Sequence, residues 1–338
     1  MTGASFAPES DEWGMRRAIT QADRVRHLTS PNPWVGAILR TRDGREFAGA
    51  TEPPPGRHAE QVVLDAARAG GADVTGATVW VTLEPCDHHG RTAPCTEALI
   101  GAGVARVVFA VGDPDPRVDG RGAARLRAAG IAVTEGVCTD RATDQLRPYL
   151  THRRTGRPFV IMKLAASLDG RIAAADGSSR WVTGDAARAE AHRLRAQCDA
   201  VLVGAGTVRT DDPELTVRAV AGRDPLRVVL GRAPAGARVH PCLELSGPLP
   251  GVLDDLGRRG VLQLLVEGGS RVAHDFHRAG LVDRYLMHLA PALFGGDDAA
   301  PLFRGSGARS IDEVWRGRIA GVRHLGGDLV VELEKGVA

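Results

Sequence analysis

The chain of 338 residues is longer than a usual single domain, and each half has enough sequence to bury its own core. Its net charge of +2 comes from 43 basic and 41 acidic residues interspersed along the sequence, and aromatic residues make up only 4%, which argues against a basic, aromatic-bearing groove for nucleic acid. No apolar run approaches the roughly 20 residues needed to span a bilayer, the acidic N-terminus lacks a signal-peptide pattern, and five cysteines with only two closely spaced do not form a disulfide framework, so a cytoplasmic protein is expected.

Hydrophobic content of 43% and alternating strand and helix patterns predict α/β architecture. A first helix is expected near Glu12 to His27, then strands near Val35 to Leu39 and Glu46 to Ala50. His58 begins an apolar-periodic stretch carrying Val62, Val63, Ala66 and Ala67, which reads as a helix. The strand pattern Ala77 to Leu83 ends in Glu84-Pro85-Cys86, and Thr92-Ala93-Pro94-Cys95 opens the next helix with a cap-type residue and an early proline. A strand over Ala105 to Val111 leads into the loop Gly112 to Gly120, expected at the rim of a pocket. One more helix and strand complete a sheet sandwiched by helices. The polar stretch from about Asp140 to Pro158, punctuated by proline and glycine, reads as a linker between domains at 1–150 and 151–338.

In the second half, strand patterns at Pro158 to Lys163, Asp199 to Gly204 and Val261 to Glu267 run into turns, the last two through Ala205-Gly206-Thr207 and Gly268-Gly269-Ser270. Backbone amides at such turns can approach a pyrophosphate, and a helix N-terminus favours its charge. The full G-x-G-x-x-G fingerprint is absent, so a dinucleotide site here would not be of the ordinary Rossmann type. Only Lys163 and Lys335 are lysines in this arginine-rich chain, and a lysine inside an apolar strand suggests that a compact ammonium is wanted there.

His58-Ala59-Glu60, Pro85-Cys86 and Pro94-Cys95 carry the sharpest chemical signal. One imidazole and two thiolates leave the fourth tetrahedral position open, the arrangement of a catalytic zinc that holds a water. Such a metal lowers that water's pKa to roughly 7. Glu60 can stay off the metal and shuttle a proton between the water and a departing ammonia, as in zinc nucleobase deaminases. Those acting on cytidine or nucleic-acid bases usually carry Pro-Cys-x-x-Cys, whereas eight residues separate the thiols here. His88 or His89 could instead close the fourth position and make a purely structural zinc site, which would leave Glu60 without a role. Cys138, Cys198 and Cys242 read as packing residues.

At these residues the chain resembles the RibD/RibG family of bifunctional riboflavin-biosynthesis deaminase/reductases. The likeness rests on Glu84-Pro-Cys-Asp-His-His-Gly-Arg-Thr-Ala-Pro-Cys95, Pro31-Asn32-Pro33-Trp34-Val35-Gly36 and His58-Ala-Glu60. In the second half it rests on Lys163-Leu-Ala-Ala-Ser-Leu-Asp-Gly170, Ser179-Arg-Trp181, Asp211-Asp-Pro-Glu-Leu-Thr-Val-Arg218 and Val266-Glu-Gly-Gly269. The resemblance implies a cytidine-deaminase-like three-layer αβα domain followed by a dihydrofolate-reductase-like α/β domain. It implies zinc held by His58, Cys86 and Cys95, Glu60 as the proton carrier, and Asn32, His88 and Arg91 on the deaminase substrate. NADPH is expected against Ala165, Trp181, Thr207, Asp211, Gly269 and Ser270. The reductase substrate is expected against Ser179, Arg195, Leu215, Arg218 and Glu267, with Arg195 and Arg218 able to fork onto a phosphate. Lys163 and Glu267 are both candidates for managing protons there.

The implied chemistry is hydrolytic deamination of 2,5-diamino-6-ribosylamino-4(3H)-pyrimidinone 5′-phosphate, then NADPH-dependent reduction of the ribosyl chain to 5-amino-6-(5-phosphoribitylamino)uracil. The partner is then this small pyrimidine ribose phosphate, with no nucleic acid or membrane, and the chain is expected to form a homo-oligomer. Asp87 and Ala93 stand where the family commonly has Ser and Pro, and Glu52 where many members have His. The stretch from Gly231 to Leu249 is shorter than in many relatives, with Arg232 to Arg238 reading as a loop.

Overall fold

Ser10 accepts a hydrogen bond from the Trp13 backbone N–H and so caps helix α1 (Asp11–Val25), whose first turn carries Asp11 and Glu12. A computed structural model describes residues 10–26, 28–89 and 93–335, and the chain divides into two units between Gly156 and Arg157. After α1 the first unit continues with β1 (Gly36–Arg40), β2 (Glu46–Ala50), α2 (Ala59–Ala69), β3 (Thr78–Leu83) and α3 (Cys95–Gly101). It closes with β4 (Arg106–Val111), α4 (Arg121–Ala128), β5 (Ala132–Glu135) and α5 (Thr139–Thr155). The strand order is β2-β1-β3-β4-β5, antiparallel across β2-β1-β3 and parallel across β3-β4-β5.

Two glycines set the layering. Gly36 pairs with Ala50 while its neighbour Ala37 pairs with Gly49, so the two glycines face opposite sides of the sheet. A Cβ on Gly36 would strike the backbone of Ala18 in α1, and one on Gly49 would strike the backbone of Ala59 and Val63 in α2. The helices therefore cover opposite faces at close range.

The expected linker is instead mostly helix α5. Its buried residues Ala142, Gln145, Leu146, Tyr149 and Leu150 recur at helical spacing, and this stripe outweighs the surrounding charge and the internal Pro148. Gln145 donates to the Ile19 carbonyl and Trp34 donates to the Gln145 carbonyl, so α5 is tied into the first unit.

The second unit runs β6 (Phe159–Ser167), β7 (Arg171–Ala173), α6 (Asp185–Gln197), β8 (Ala200–Gly204), α7 (Ala205–Asp211), β9 (Leu226–Leu230) and β10 (Leu243–Leu245). It continues with α8 (Leu249–Arg258), β11 (Gln263–Val266), α9 (Ser270–Arg278), β12 (Arg284–Ala290), β13 (Ala300–Pro301), β14 (Gly317–Leu325) and β15 (Asp328–Lys335). Eight strands form one sheet in the order β10-β9-β8-β11-β6-β12-β15-β14, parallel from β10 through β12 and antiparallel beyond, while β7 and β13 pair separately. Alternation along β6 feeds two cores. Val160, Met162, Leu164 and Ala166 pack with Leu253, Leu256 and Phe276, whereas Phe159 and Ile161 pack with Leu194 and Val208. Lys163 and Ala165 continue the Phe159 row, so the ammonium enters the second face where its apolar row ends. No helix among the described residues is long and apolar enough to cross a membrane.

Candidate active sites

In the first unit, His58 is the residue just before α2, Cys86 follows the end of β3, and Cys95 opens α3. The cap of α3 is Pro94, without a side-chain hydrogen bond, and the expected cap residue Thr92 lies outside the described residues. The three donor atoms converge within 4.8 Å of one another. His58 Nδ1 lies 3.3 Å from Cys95 Sγ and 3.5 Å from Cys86 Sγ. Cys95 also donates its backbone N–H to Cys86 Sγ at 3.5 Å.

Their electrostatics fit a dication. The Cys95 thiol hydrogen-bonds to Cys86, which with His58 pulls Cys86 well below the usual thiol range and pushes the buried Cys95 up. The Cys86 contact in turn raises His58. The cluster alone thus shares protons among donors that a divalent ion would displace, and the N/S/S set suits zinc. Neither His88 nor His89 belongs to this group.

Glu60, on the first turn of α2, is only 4% exposed, and burial lifts its carboxyl to about 7. It shares a cavity of about 280 Å³ with Asn32, His58, Cys86 and His88. Arg91 lies outside the described residues. His88 Nδ1 is buried and has no hydrogen-bond partner among the described residues. The rim loop after β4 joins the same cavity through Asp113, Asp115 and Arg117.

Several groups here were not singled out from sequence. Buried Glu84 accepts backbone hydrogen bonds from Asp113, Gly120 and Ala123, which locks the rim loop and the start of α4 to the segment carrying Cys86. Tyr149 donates to Asp113 at 3.0 and 3.2 Å, and burial holds that carboxyl above its usual range. Arg117 forks onto Asp115 at 3.0 and 2.7 Å and holds it down to about 2. Tyr149 and Arg153 of α5 both line this cavity, and their i, i+4 placement is the signal available in a stretch whose composition reads as linker.

In the second unit two adjoining cavities, of about 730 and 420 Å³, share Lys163, Ser179, Asp211 and Glu267. The larger holds Ala165 of β6 and, beyond the ends of β8 and β11, Thr207, Gly269 and Ser270, together with the cations Arg209, Arg271 and Arg304. That concave, cationic surface fits a dinucleotide bearing several phosphates. The smaller holds Arg195, Leu215 and Arg218. Trp181, expected on the cofactor side, lines this smaller cavity, is 67% exposed, and has the Arg188 guanidinium 4.7 Å from its ring centroid.

Arg195 differs from expectation in its partner. Its Nε and Nη2 donate to the two oxygens of Glu267 at 2.6 and 2.8 Å, and its Nη1 donates to the Thr216 carbonyl at 3.2 Å. The fork expected on a phosphate is occupied by a buried carboxylate, whereas Arg218 pairs with Glu214 on an exposed edge. Burial alone would raise Glu267, but Arg195 and Lys163 outweigh it and hold the carboxyl below its usual range. Burial lowers Lys163. His288, fully buried on β12, was also missed. Both its ring nitrogens are without a hydrogen-bond partner among the described residues, and burial plus the Lys163 charge hold it down to about 4.

Residues 158–331 match the RibD C-terminal domain family, and residues 8–111 match the cytidine and deoxycytidylate deaminase zinc-binding region. The riboflavin biosynthesis protein RibD of Mycobacterium tuberculosis is 44% identical over 339 residues, covering 96% of this chain and 97% of that protein. The chain belongs to the RibD family. Its counterpart in Escherichia coli is 37% identical, covering 96% of this chain and 99% of that one. The solved structure of Acinetobacter baumannii RibD superposes with a TM-score of 0.90 at 35% identity, covering 97% of this chain and 99% of that one. A Thermotoga maritima deaminase/reductase structure superposes with a TM-score of 0.90 at 33% identity, covering 96% and 99%. As a RibD-family enzyme with a cytidine-deaminase-like unit and a dihydrofolate-reductase-like unit, the chain uses zinc and NADPH for deamination and reduction in riboflavin biosynthesis.

Proposed function

We propose that the N-terminal domain, 1–150 with the rest of α5, deaminates 2,5-diamino-6-ribosylamino-4(3H)-pyrimidinone 5′-phosphate, and that the C-terminal domain, the remainder of 151–338, reduces the product's ribosyl chain. The observation that carries this reading is the convergence of His58, Cys86 and Cys95 beside buried Glu60 in one cavity with Asn32 and His88. Zinc bound there supplies a water acidified to near neutrality. His58, Cys86 and Cys95 would hold the metal, and Glu60, buried beside them in the same cavity, would carry a proton from the attacking side to the departing ammonia at its carboxylate oxygens. Asn32 holds the pyrimidine edge, while His88, whose Nδ1 has no hydrogen-bond partner among the described residues, and Arg91 contact the base and ribose phosphate.

NADPH supplies the hydride in the second unit. Ala165, Thr207, Gly269 and Ser270 line its cleft, Asp211 stands at the junction of the two cavities, and Trp181 reaches the junction from the substrate side. Ser179, Leu215 and Arg218 face the sugar and its phosphate. Arg195 acts through Glu267, which it holds ionised. Between the two candidates for proton transfer, Lys163 has a proton to give and is made more acidic by burial, while Glu267 is kept as the anion that orients the sugar hydroxyls. The exposed Ile319 and Val322 on edge strand β14 support a homo-oligomer. Interspersed charge supports an enzyme without a nucleic-acid partner, and five free cysteines support a cytoplasmic one.

The test measures ammonia release and NADPH oxidation separately on the full chain. Glu60→Gln is expected to cut ammonia release about 10³-fold with zinc content and reduction of the deaminated substrate unchanged. Retained deamination in that variant would remove Glu60 from the mechanism.

A further inference from the structure

A second group of metal-type donors lies in the C-terminal unit, on the shortened stretch between Gly231 and Leu249. The donor atoms of His240, Cys242 and Glu244 all lie within 4.8 Å of one another, and Cys242 Sγ is 3.5 Å from His240 Nδ1. Glu244 is in β10 and Cys242 immediately precedes it, so their two-residue spacing sends both side chains to one side. β10 is an edge strand, Cys242 is a free half-buried thiol, and His240 and Glu244 are exposed, so an ion can enter from solvent.

The preceding loop orients two of the donors from behind. His240 Nε2 is 3.1 Å from the Pro234 carbonyl. A carbonyl only accepts, so Nε2 carries the proton and Nδ1 turns its lone pair toward Cys242. Glu244 Oε1 accepts the Ala233 backbone N–H at 2.9 Å, which leaves Oε2 for a further contact. Backing of this kind fixes the tautomer and direction of metal-binding side chains. Ligands about 2.3 Å (sulfur) and 2.0–2.1 Å (nitrogen) from a tetrahedral zinc lie about 3.5 Å apart, which is the spacing already present.

We propose that His240, Cys242 and Glu244 form a second zinc site, with Cys242 bound as thiolate and the fourth position left to water. One thiolate and one carboxylate neutralise the dication, and the N/S/O set favours zinc over magnesium or calcium. Binding releases the thiol proton to solvent and requires no redox step. The ion ties β10 to the loop that carries Arg238. That arginine lines the smaller reductase cavity and donates its backbone N–H to Asp212 at 2.8 Å. A filled site would therefore steady one wall of the cavity from outside it.

The test uses the full-length protein dialysed against micromolar zinc. Elemental analysis is expected to give about two zinc ions per wild-type chain, about one after Cys242→Ser or His240→Gln, and about one after Cys86→Ser. Zinc should also slow alkylation of Cys242, followed by peptide mass spectrometry, about tenfold or more, whereas magnesium should not. One zinc per wild-type chain with Cys242 alkylated equally fast in its presence would overturn the second site. Loss of zinc only from Cys242→Ser, with none lost from Cys86→Ser, would sustain it while removing the His58 site from the first unit.

Discussion

The deaminase donors lie within residues 58–95 and meet at the starts of α2 and α3, whereas the reductase charges come from β6, α6 and the end of β11. The two sites also settle their charge differently. His58, Cys86 and Cys95 share protons that a dication displaces, while in the second site the Glu267 carboxylate is held ionised by the protein's own cations, Arg195 and Lys163. A site built around a metal can be encoded by a short motif, because the ion supplies the convergence and the counter-charge. A site whose counter-charges are its own side chains needs a fold to bring distant residues together.

Breaking the internal balance should therefore have the larger structural effect. Glu267→Gln leaves the Arg195 guanidinium buried without its counter-ion. It is expected to destabilise the C-terminal unit by about 3 kcal/mol, within the range for losing one partner of a buried pair. The reductase rate should fall at least about 10²-fold. Calorimetry should show the loss in one unit's transition while ammonia release stays at the wild-type rate. Equal loss in both activities would mean that the two units do not keep their charge separately.

Much of this was legible in the sequence, for identifiable reasons. Strand pattern followed by Glu84-Pro-Cys or Glu267-Gly-Gly marks places where a sheet hands a polar group to a loop, and those assignments match β3 and β11. Helix α5 was obscured because Arg, Asp and Thr surround its buried stripe and Gln145 occupies an interior position, so composition read as linker what periodicity marks as helix. Arg195, expected on the substrate side and able to fork onto a phosphate, has its fork on Glu267, and local sequence does not show a partner that lies 72 positions further on. Trp181 likewise faces a cavity set by packing over long sequence distances.

His288 sharpens the comparison through pH. Its neutral form is favoured in the folded unit, with a pKa lowered from 6.5 to about 4, so below pH 6.5 the unfolded chain binds a proton that the folded chain refuses. Stability is present above pH 6.5 and is lost as pH falls toward 4. The expected contribution is about 2 kcal/mol between pH 7 and pH 5. His288→Leu should flatten that part of the C-terminal unit's stability profile and leave the N-terminal unit's profile unchanged. Parallel wild-type and variant profiles in urea titrations would contradict the assignment.

The smallest effect expected is on the polar wall of the deaminase cavity. Tyr149→Phe removes the phenol that donates to both oxygens of buried Asp113 and leaves that carboxyl short of a partner. A net loss of about 1 kcal/mol follows from one hydrogen bond at a buried acceptor. Because Asp113 lines the cavity without belonging to the metal cluster, the loss should raise the deaminase KM about fivefold and leave kcat near wild type. Reduction should be unaffected. A fall in kcat at constant KM would instead connect Tyr149 and Asp113 to the proton path of Glu60, making the rim loop part of the chemistry rather than of substrate binding.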